Sequence, residues 1–433
     1  MSASDLQTLA LFRDLLSREP LRALLGAGGS GERAALDTAS GGAFVHALTR
    51  EPRIWTAPPF RHASNPAEAW LIEAAITSDN LWSRLVERKA RPGPLLDELA
   101  RRDLEILRGV RDAARELLTA LVPAWTADRW QAAPADGPGP WDEELAQLVA
   151  KFGSARSWAE LLPDLAGFIE RAGAGLFNAA FGFRWTGDAS SPFLPVTALD
   201  ETRLEHLVGQ SEEREKVVRN TERLVQGLPA HNVLLYGDRG TGKSATVKAL
   251  LHRFGPRGLR LVELPKALIH TLPELVAALS GRGLAFIIFI DDLSFESAET
   301  EYKELKAFLE GSLAPPAPNV KVYATSNRRH LVREEFSDRN PSGPLGTADD
   351  DVRRQDTVQE KLSLADRFGL TVIFPTPTQE QYLAIVRSLA RLHGIDLPDA
   401  ELRARALRWA AWQNGRSGRT AKQFIDELRG ATA

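Results

Sequence analysis

Residues 237–244 read Gly-Asp-Arg-Gly-Thr-Gly-Lys-Ser, between the apolar run Asn232-Val-Leu-Leu-Tyr236 and the helix-patterned Ala245-Thr-Val-Lys-Ala-Leu-Leu251. A GxxxxGK[ST] segment in that setting puts a strand, a tight loop and a helix in succession, which is how a parallel α/β sheet is built. The glycines let the backbone turn so that its N–H groups surround a pyrophosphate. Lys243 supplies a point charge for the outer phosphates, and Ser244 offers a hydroxyl to Mg²⁺. The implied ligand is a nucleoside triphosphate, with Gly237, Asp238, Arg239, Gly240, Thr241, Gly242, Lys243, Ser244 and Ala245 as its binding set.

The chain has 433 residues, enough for two or three domains with full cores. Charged residues make up 26% of it and the formal net charge is -3, so no bulk basic field holds nucleic acid or anionic lipid. A local patch formed in three dimensions remains open. The absence of cysteine excludes disulfides, thiolate metal sites and cysteine nucleophiles. The segment Met1-Ser-Ala-Ser-Asp-Leu-Gln-Thr-Leu-Ala-Leu-Phe-Arg13 lacks a basic start followed by a sustained apolar stretch, so no secretory signal is expected. The apolar run Leu284–Ile290 is far short of the roughly 20 residues a bilayer requires. A soluble cytoplasmic protein is the expectation.

Residues 1–190 read as a mostly helical domain, with Leu107, Val110, Ala114, Leu117 and Leu121 recurring on one face at three- and four-residue steps. A break is expected at residues 132–140, where proline and glycine are too dense for a helix to continue. Eight of the ten tryptophans (Trp55, Trp70, Trp82, Trp125, Trp130, Trp141, Trp158 and Trp185) lie in this part. Core packing is the favoured reading of these rings over a partner surface or base stacking, because no basic runs are interleaved with them. A second break, Thr186–Pro192, reads as an interdomain linker.

From residue 191 to 376 short apolar strands alternate with helices: Asn232–Tyr236, Leu259–Glu263, Leu284–Ile290, Val320–Thr325 and Leu370–Phe374. Five such strands imply a parallel sheet covered on both faces. Residues 377–433 return to helix, with Thr378 and Gln381 spaced as a capping box and Gly394 and Gly415 placed to stop successive helices, as in a small lid.

The strand ending at Ile290 leads into Asp291-Asp292, at the carboxyl edge where the phosphate loop also lies. Mg²⁺ is usually reached through one or two carboxylates plus phosphates, so Asp291 suits a metal contact and Asp292 suits orienting the attacking water. Asn327, at the end of the next strand, either orients a water, touches the terminal phosphate or simply closes a turn. Arg367 precedes the fifth strand, and Arg416 and Arg419 lie at the start of the lid's third helix. Arginine suits phosphates because its planar fork donates in pairs.

In this order the motifs resemble Walker A, Walker B, sensor 1, arginine finger and sensor 2 of AAA+ ATPases. More narrowly, Asn232–Ser244, Tyr323–Leu331 and Leu364–Leu370 are similar to the bacterial ATPase family known as domain of unknown function 815, over residues 195 to 430. The resemblance implies an α/β P-loop core with a five-stranded parallel sheet ordered 5-1-4-3-2 and a helical lid. It also implies ATP with Mg²⁺, adenine packed near Leu207, Val208 and Gly209, Arg419 as sensor 2, and Arg367 acting on a neighbouring subunit of a homo-oligomer.

One departure stands out: many AAA+ members have Asp-Glu where this chain has Asp291-Asp292, so water activation is expected to be weaker or to use Glu296. The implied activity is a Mg²⁺-dependent ATPase that remodels or switches an unknown protein partner. The rivals are a nucleotide-gated binding module with little turnover and a DNA-associated initiator or loader. Nucleic acid is the less favoured partner, as no basic domain follows the lid. Arg353, Arg354 and Lys361 read as a solvated face, and residues 337–359 as a long loop able to contact a partner.

Overall fold

The computed structural model describes residues 8–21, 38–51, 57–121, 141–196, 198–200, 202–293, 304–305, 308–309, 317–327, 367–413 and 415–432. The expected break at 132–140, the loop 337–359, Glu296, Arg353, Arg354, Lys361, Trp55, Trp125 and Trp130 lie outside these residues. The chain divides into two compact units. The first comprises Met1–Phe181 with Pro195–Ala198 and Arg282–Leu284, and the second comprises Gly182–Leu194, Leu199–Gly281 and Ala285–Ala433.

The first unit is helical: α1 (Thr38–Thr49), α2 (Pro66–Ile76), α3 (Leu81–Glu87), α4 (Pro94–Leu121), α5 (Asp142–Ser154) and α6 (Leu162–Ala172). Helix α2 is apolar nearly all round and is accordingly buried along almost its whole length. Asn65 starts it by accepting the Glu68 N–H at 2.9 Å, with Pro66 pre-set for the first turn. Helix α4 buries Ala100, Leu104, Leu107, Val110, Ala114 and Leu118 in one stripe, while the side chains of Leu117 and Leu121 fall outside the described set. Its Asp103, fully buried, accepts the N–H groups of Ala10, Leu11 and Phe12 at 2.9, 2.7 and 3.1 Å, fixing the 3₁₀ turn Phe12–Ser17. Trp70, Trp82, Trp141 and Trp158 are buried here, as packing residues should be.

Among the described residues the sheet has seven strands, all in the second unit except the last two residues of β2: β1 (Gly182–Trp185), β2 (Phe193–Val196), β3 (Val233–Gly237), β4 (Leu259–Glu263), β5 (Ala285–Ile290), β6 (Val320–Asn327) and β7 (Leu370–Phe374). Their order is β2-β1-β4-β5-β6-β3-β7, and every pairing from β1 through to β7 is parallel. Five strands were expected from the sequence and two more, β1 and β2, extend the sheet beyond β4. The stretch Thr186–Pro192, expected as a linker, is instead the turn between them, closed by the Thr186 N–H on the Pro192 oxygen at 3.0 Å. Four-residue strands bounded by glycine and containing Pro195 give too short an alternation to register in sequence, and proline restricts β2 to an edge.

Strand β5 is buried at every position, as befits a strand covered on both faces. The helices of this unit begin with α7 (Ser211–Val225), α8 (Lys243–Phe254) and α9 (Leu272–Leu279). From α7, Asn220 bridges both backbone groups of His231, at 2.9 and 3.0 Å, and reaches the Tyr323 hydroxyl at 3.0 Å, so the start of β3 is tied to β6. Burial pushes the Tyr323 hydroxyl up to about 12, against the bonds it shares with Thr221 and Asn220, and it stays neutral.

The unit ends in α10 (Gln379–Leu392), α11 (Asp399–Trp412) and α12 (Gly418–Thr432), packed around Tyr382, Leu383, Val386, Ala406, Phe424 and Ile425. The capping box at Thr378 and Gln381 is present, with both reciprocal bonds formed.

Register decides where chemistry can occur. Gly237 is level with Asn327 on one side and Phe374 on the other, and Ile290 is level with Ala324. The carboxyl ends of β3, β5 and β6 therefore converge on one edge, beside the strand at which the chain switches direction across the sheet.

Candidate functional site

The loop after β3 is possible only with glycine at two of its turns. A Cβ on Gly237 would lie 2.1 Å from the Phe374 carbonyl oxygen, because β7 passes directly beside it. Gly240, at φ 76°, would bring a Cβ within 2.7 Å of Ser417 Oγ. Lys243 opens α8, and its Nζ turns back to donate to the carbonyl oxygens of Gly237 and Asp238 at 2.7 and 2.8 Å, with Asn327 Oδ1 at 3.4 Å. Burial pushes the Lys243 ammonium below its ordinary value, while Asp238, Asp292 and Asp291 pull it back up. The loop thus holds a desolvated cation among acceptors that an anionic ligand can replace.

Ser244 Oγ donates to Asp291 Oδ1 at 2.6 Å, and Thr325 Oγ1 donates to the same oxygen at 2.6 Å. Asp292 adopts a left-handed backbone, φ 55°, with its N–H on Thr325 Oγ1 at 2.8 Å. Its Oδ1 accepts the Asn327 amide, and its Oδ2 lies 3.8 Å from Lys266 Nζ on the turn after β4. Lys243, Ser244, Asp291, Asp292 and Asn327, read from the sequence as separate motifs, form one connected polar network.

The start of α12 reaches the same loop. The Gly418 N–H donates to the Gly240 oxygen at 2.9 Å, and a Cβ on Gly240 would sit 3.3 Å from the Cβ of Arg419, whose side chain is exposed. Thr376, between β7 and α10, donates to Asp238 Oδ2, and Thr241 donates to the Asp238 oxygen at 2.9 Å. Arg239 and Arg416 are exposed, and Ala245 lies in the first turn of α8. Leu207, Val208 and Gly209 are half-buried, with the α-carbon of Gly209 facing Gln381 of α10 and Gln210 donating to the Pro375 oxygen at 2.5 Å.

Arg367 is not brought to this cluster within one chain. It is exposed and three residues ahead of Leu370, whose partner is Val233 at the start of β3, so it lies at the opposite edge of the sheet. The five residues of β7 alone separate the two edges by about 13 Å. Thr325, Lys266, Thr376 and Ser417 join the site without having been singled out from sequence. Thr325 is two residues from Asn327 on one strand, so period-two alternation puts both on one face and is the signal that locates it. The other three are tertiary neighbours with no local pattern.

A nucleoside triphosphate with Mg²⁺ fits these residues. The loop offers a buried cation beside glycines whose Cβ positions are already claimed by neighbours, and an aligned hydroxyl and carboxylate, Ser244 and Asp291, at 2.6 Å.

Residues 178–432 match the family described as "Protein of unknown function (DUF815)". No curated protein matches the chain. Among solved structures, similarity extends to a point mutant of Thermotoga maritima RuvB, at 16% identity and TM-score 0.38, over 54% of this chain and 66% of that one. A second point mutant of the same protein is similar at 15% identity and TM-score 0.33, over 52% and 72%. The Thermotoga maritima RuvB Holliday junction branch migration motor is similar at 14% identity and TM-score 0.30, over 52% and 72%.

Proposed function

The chain belongs to the DUF815 family, and we propose that it is a Mg²⁺-dependent ATPase that couples ATP binding and hydrolysis to remodelling or switching of a protein partner. The observation that carries this reading is the network Lys243–Asn327–Asp292 and Ser244–Asp291–Thr325 assembled at one edge of the sheet.

Each residue has a task that follows from its chemistry. Lys243 offsets the charge of the outer phosphates, and the loop backbone from Gly237 to Ala245 binds them. Ser244 and Asp291 would hold Mg²⁺, which when bound neutralises phosphate charge during cleavage of the terminal phosphoryl group. Asp292 orients the attacking water through its carboxylate, with Asn327 fixing that carboxylate by its amide. Leu207, Val208 and Gly209 line the base, and Arg419 closes on the phosphates from the lid. Arg367 serves the site of a neighbouring subunit in a homo-oligomer.

A second reading, a nucleotide-gated binding module with slow turnover, is favoured by the engagement of Asp292. Its two carboxylate oxygens face Asn327 and Lys266, and aspartate is one methylene shorter than the glutamate common at this position. Equilibrium binding of ATP with and without Mg²⁺, paired with single-turnover hydrolysis, tests both. Binding that is abolished in Lys243→Ala, with hydrolysis that needs Asp292, supports the ATPase. Binding without hydrolysis supports the switch. Equal ATP binding by wild type and Lys243→Ala overturns both.

A further inference from the structure

Asp291 and Asp292 are adjacent in sequence but have different tasks in the reading above, and one buried hydroxyl touches both. Thr325 is 1% exposed, near the end of β6. Its single proton is spent on Asp291 Oδ1 at 2.6 Å, and its oxygen accepts the Asp292 N–H at 2.8 Å. We propose that Thr325 is the positioning residue of this site, setting the orientation of the metal-binding carboxylate relative to the water-orienting one. The proposal rests on the ATPase reading and deepens it.

The geometry argues for a role beyond satisfying a buried hydroxyl. Ser244 and Thr325 both donate to the same oxygen of Asp291, so the carboxylate is held from α8 on one side and from β6 on the other. A carboxylate gripped from two elements keeps its plane while ligands exchange, as groups behind metal ligands commonly ensure. At Asp292 the same hydroxyl stabilises a backbone that only glycine adopts freely, φ 55°. That backbone turns the Asp292 side chain toward Asn327, which stands two residues beyond Thr325 on the same strand. The neighbouring bonds Leu293 N–H to Thr325 O at 2.7 Å and Ser326 Oγ to Leu293 O at 2.8 Å continue the clamp, but neither reaches a carboxylate. The Lys243 ammonium interacts with both acids through charge, whereas among the described residues Thr325 is the one whose side chain is hydrogen-bonded both to the Asp291 carboxylate and to the Asp292 backbone N–H.

Removing the hydroxyl while keeping the shape, Thr325→Val, leaves Asp291 with one donor and the Asp292 N–H without its acceptor. Thr325→Ser restores both bonds. The full chain is assayed for Mn²⁺ affinity by electron paramagnetic resonance in the presence of a non-hydrolysable ATP analogue, for metal-free ATP affinity, for thermal melting and for kcat and KM. The expected result is Mn²⁺ affinity and kcat both lower by about 10- to 100-fold in Thr325→Val, with metal-free ATP affinity and KM within about twofold of wild type and recovery in Thr325→Ser. Unchanged Mn²⁺ affinity and kcat in a folded Thr325→Val overturn the proposal. A loss of metal-free ATP affinity as large as that of kcat also overturns it, since that marks a general collapse of the site. Failure of the wild type to bind ATP at all sinks the ATPase reading itself, an outcome separable from either.

Discussion

Gly418 donates its backbone N–H to the carbonyl oxygen of Gly240 at 2.9 Å, so the first residue of α12 is hydrogen-bonded to the glycine-rich loop after β3. The contact lies beside Ser417 and Arg419, which flank Gly418 in sequence, and Asp238, two residues before Gly240, is held by Thr376 at the entry to the lid. The C-terminal helical segment and the loop are thereby joined at two points, and a change in loop geometry is felt by α12.

Gly240→Ala tests that link. The new Cβ would lie 2.7 Å from Ser417 Oγ, on a residue at φ 76°. Left-handed backbone costs a non-glycine residue about 1–2 kcal/mol. The expected outcome is a lower melting temperature together with faster amide exchange over Gly418–Ile425 in the absence of nucleotide. Pairing it with Ser417→Gly should recover the steric part only. Unchanged exchange in Gly240→Ala would mean the lid does not depend on this contact.

Lys243 gives a prediction about stability without ligand. Burial holds its ammonium below the ordinary lysine value of 10.5, so between the folded value and 10.5 the unfolded chain binds more protons than the folded one. Stability from this group therefore rises as pH climbs through the folded value, and at neutral pH the buried charge is a net cost. Lys243→Met should raise the melting temperature of the nucleotide-free protein at pH 7, a gain on the order of 1 kcal/mol at most, while abolishing ATP binding. A lower melting temperature would show that the carbonyls of Gly237 and Asp238 over-compensate the lost hydration.

Within the first unit, Arg282 is 5% exposed at its side chain and meets Glu87 through two bonds, Nε to Oε1 at 3.1 Å and Nη2 to Oε2 at 2.7 Å. It also donates to Asp79 Oδ2 at 3.0 Å and to the Ala174 oxygen at 2.7 Å. Breaking such a pair leaves a buried charge unmatched, so Arg282→Ala should destabilise the protein by about 3–5 kcal/mol in denaturant titrations. Burial pushes Asp79 up, but the bonds and charges of Arg84 and Arg282 outweigh it and hold the carboxyl below its ordinary 3.8. That stability is present above 3.8 and is lost as pH falls through the folded value. Arg282→Ala should flatten the acid limb of the stability curve. An undiminished acid limb would assign it to other carboxylates.

That the loop 237–244, Asp291, Asp292 and Asn327 would gather at one edge of the sheet was legible in sequence because each sits where a local apolar strand stops. The capping box at Thr378 was legible because helix starts have a fixed spacing. What escaped has no local period. Strands β1 and β2 are four residues each and contain or adjoin proline and glycine, so the burial of β1 shows only once β4 is beside it, and β2 has no buried residue to mark it. Lys266 and Ser417 come from turns remote in sequence from the groups they touch. The Arg282–Glu87 pair spans 195 positions, and neither residue stands out from other charged residues until they meet.

Arg367 carries the last prediction, because the fold separates it from the glycine-rich loop 237–244 of its own chain. Leu370 pairs with Val233 and Phe374 with Gly237, so an arginine ahead of Leu370 lies at the amino edge while Lys243 lies at the carboxyl edge. A guanidinium there reaches a terminal phosphate only when a second copy presents its carboxyl edge. On the proposed function, Lys243→Ala alone would lack phosphate binding and Arg367→Ala alone would lack the neighbour's cation, so each should be inactive. Mixed in equal amounts with free subunit exchange, about a quarter of the interfaces would pair an intact loop with an intact arginine, and ATPase should return toward that fraction of the wild-type rate. Light scattering checks that each variant still associates. If both associate and mixing restores nothing, the arginine does not act across subunits, because a shared site cannot fail this complementation while both surfaces are intact.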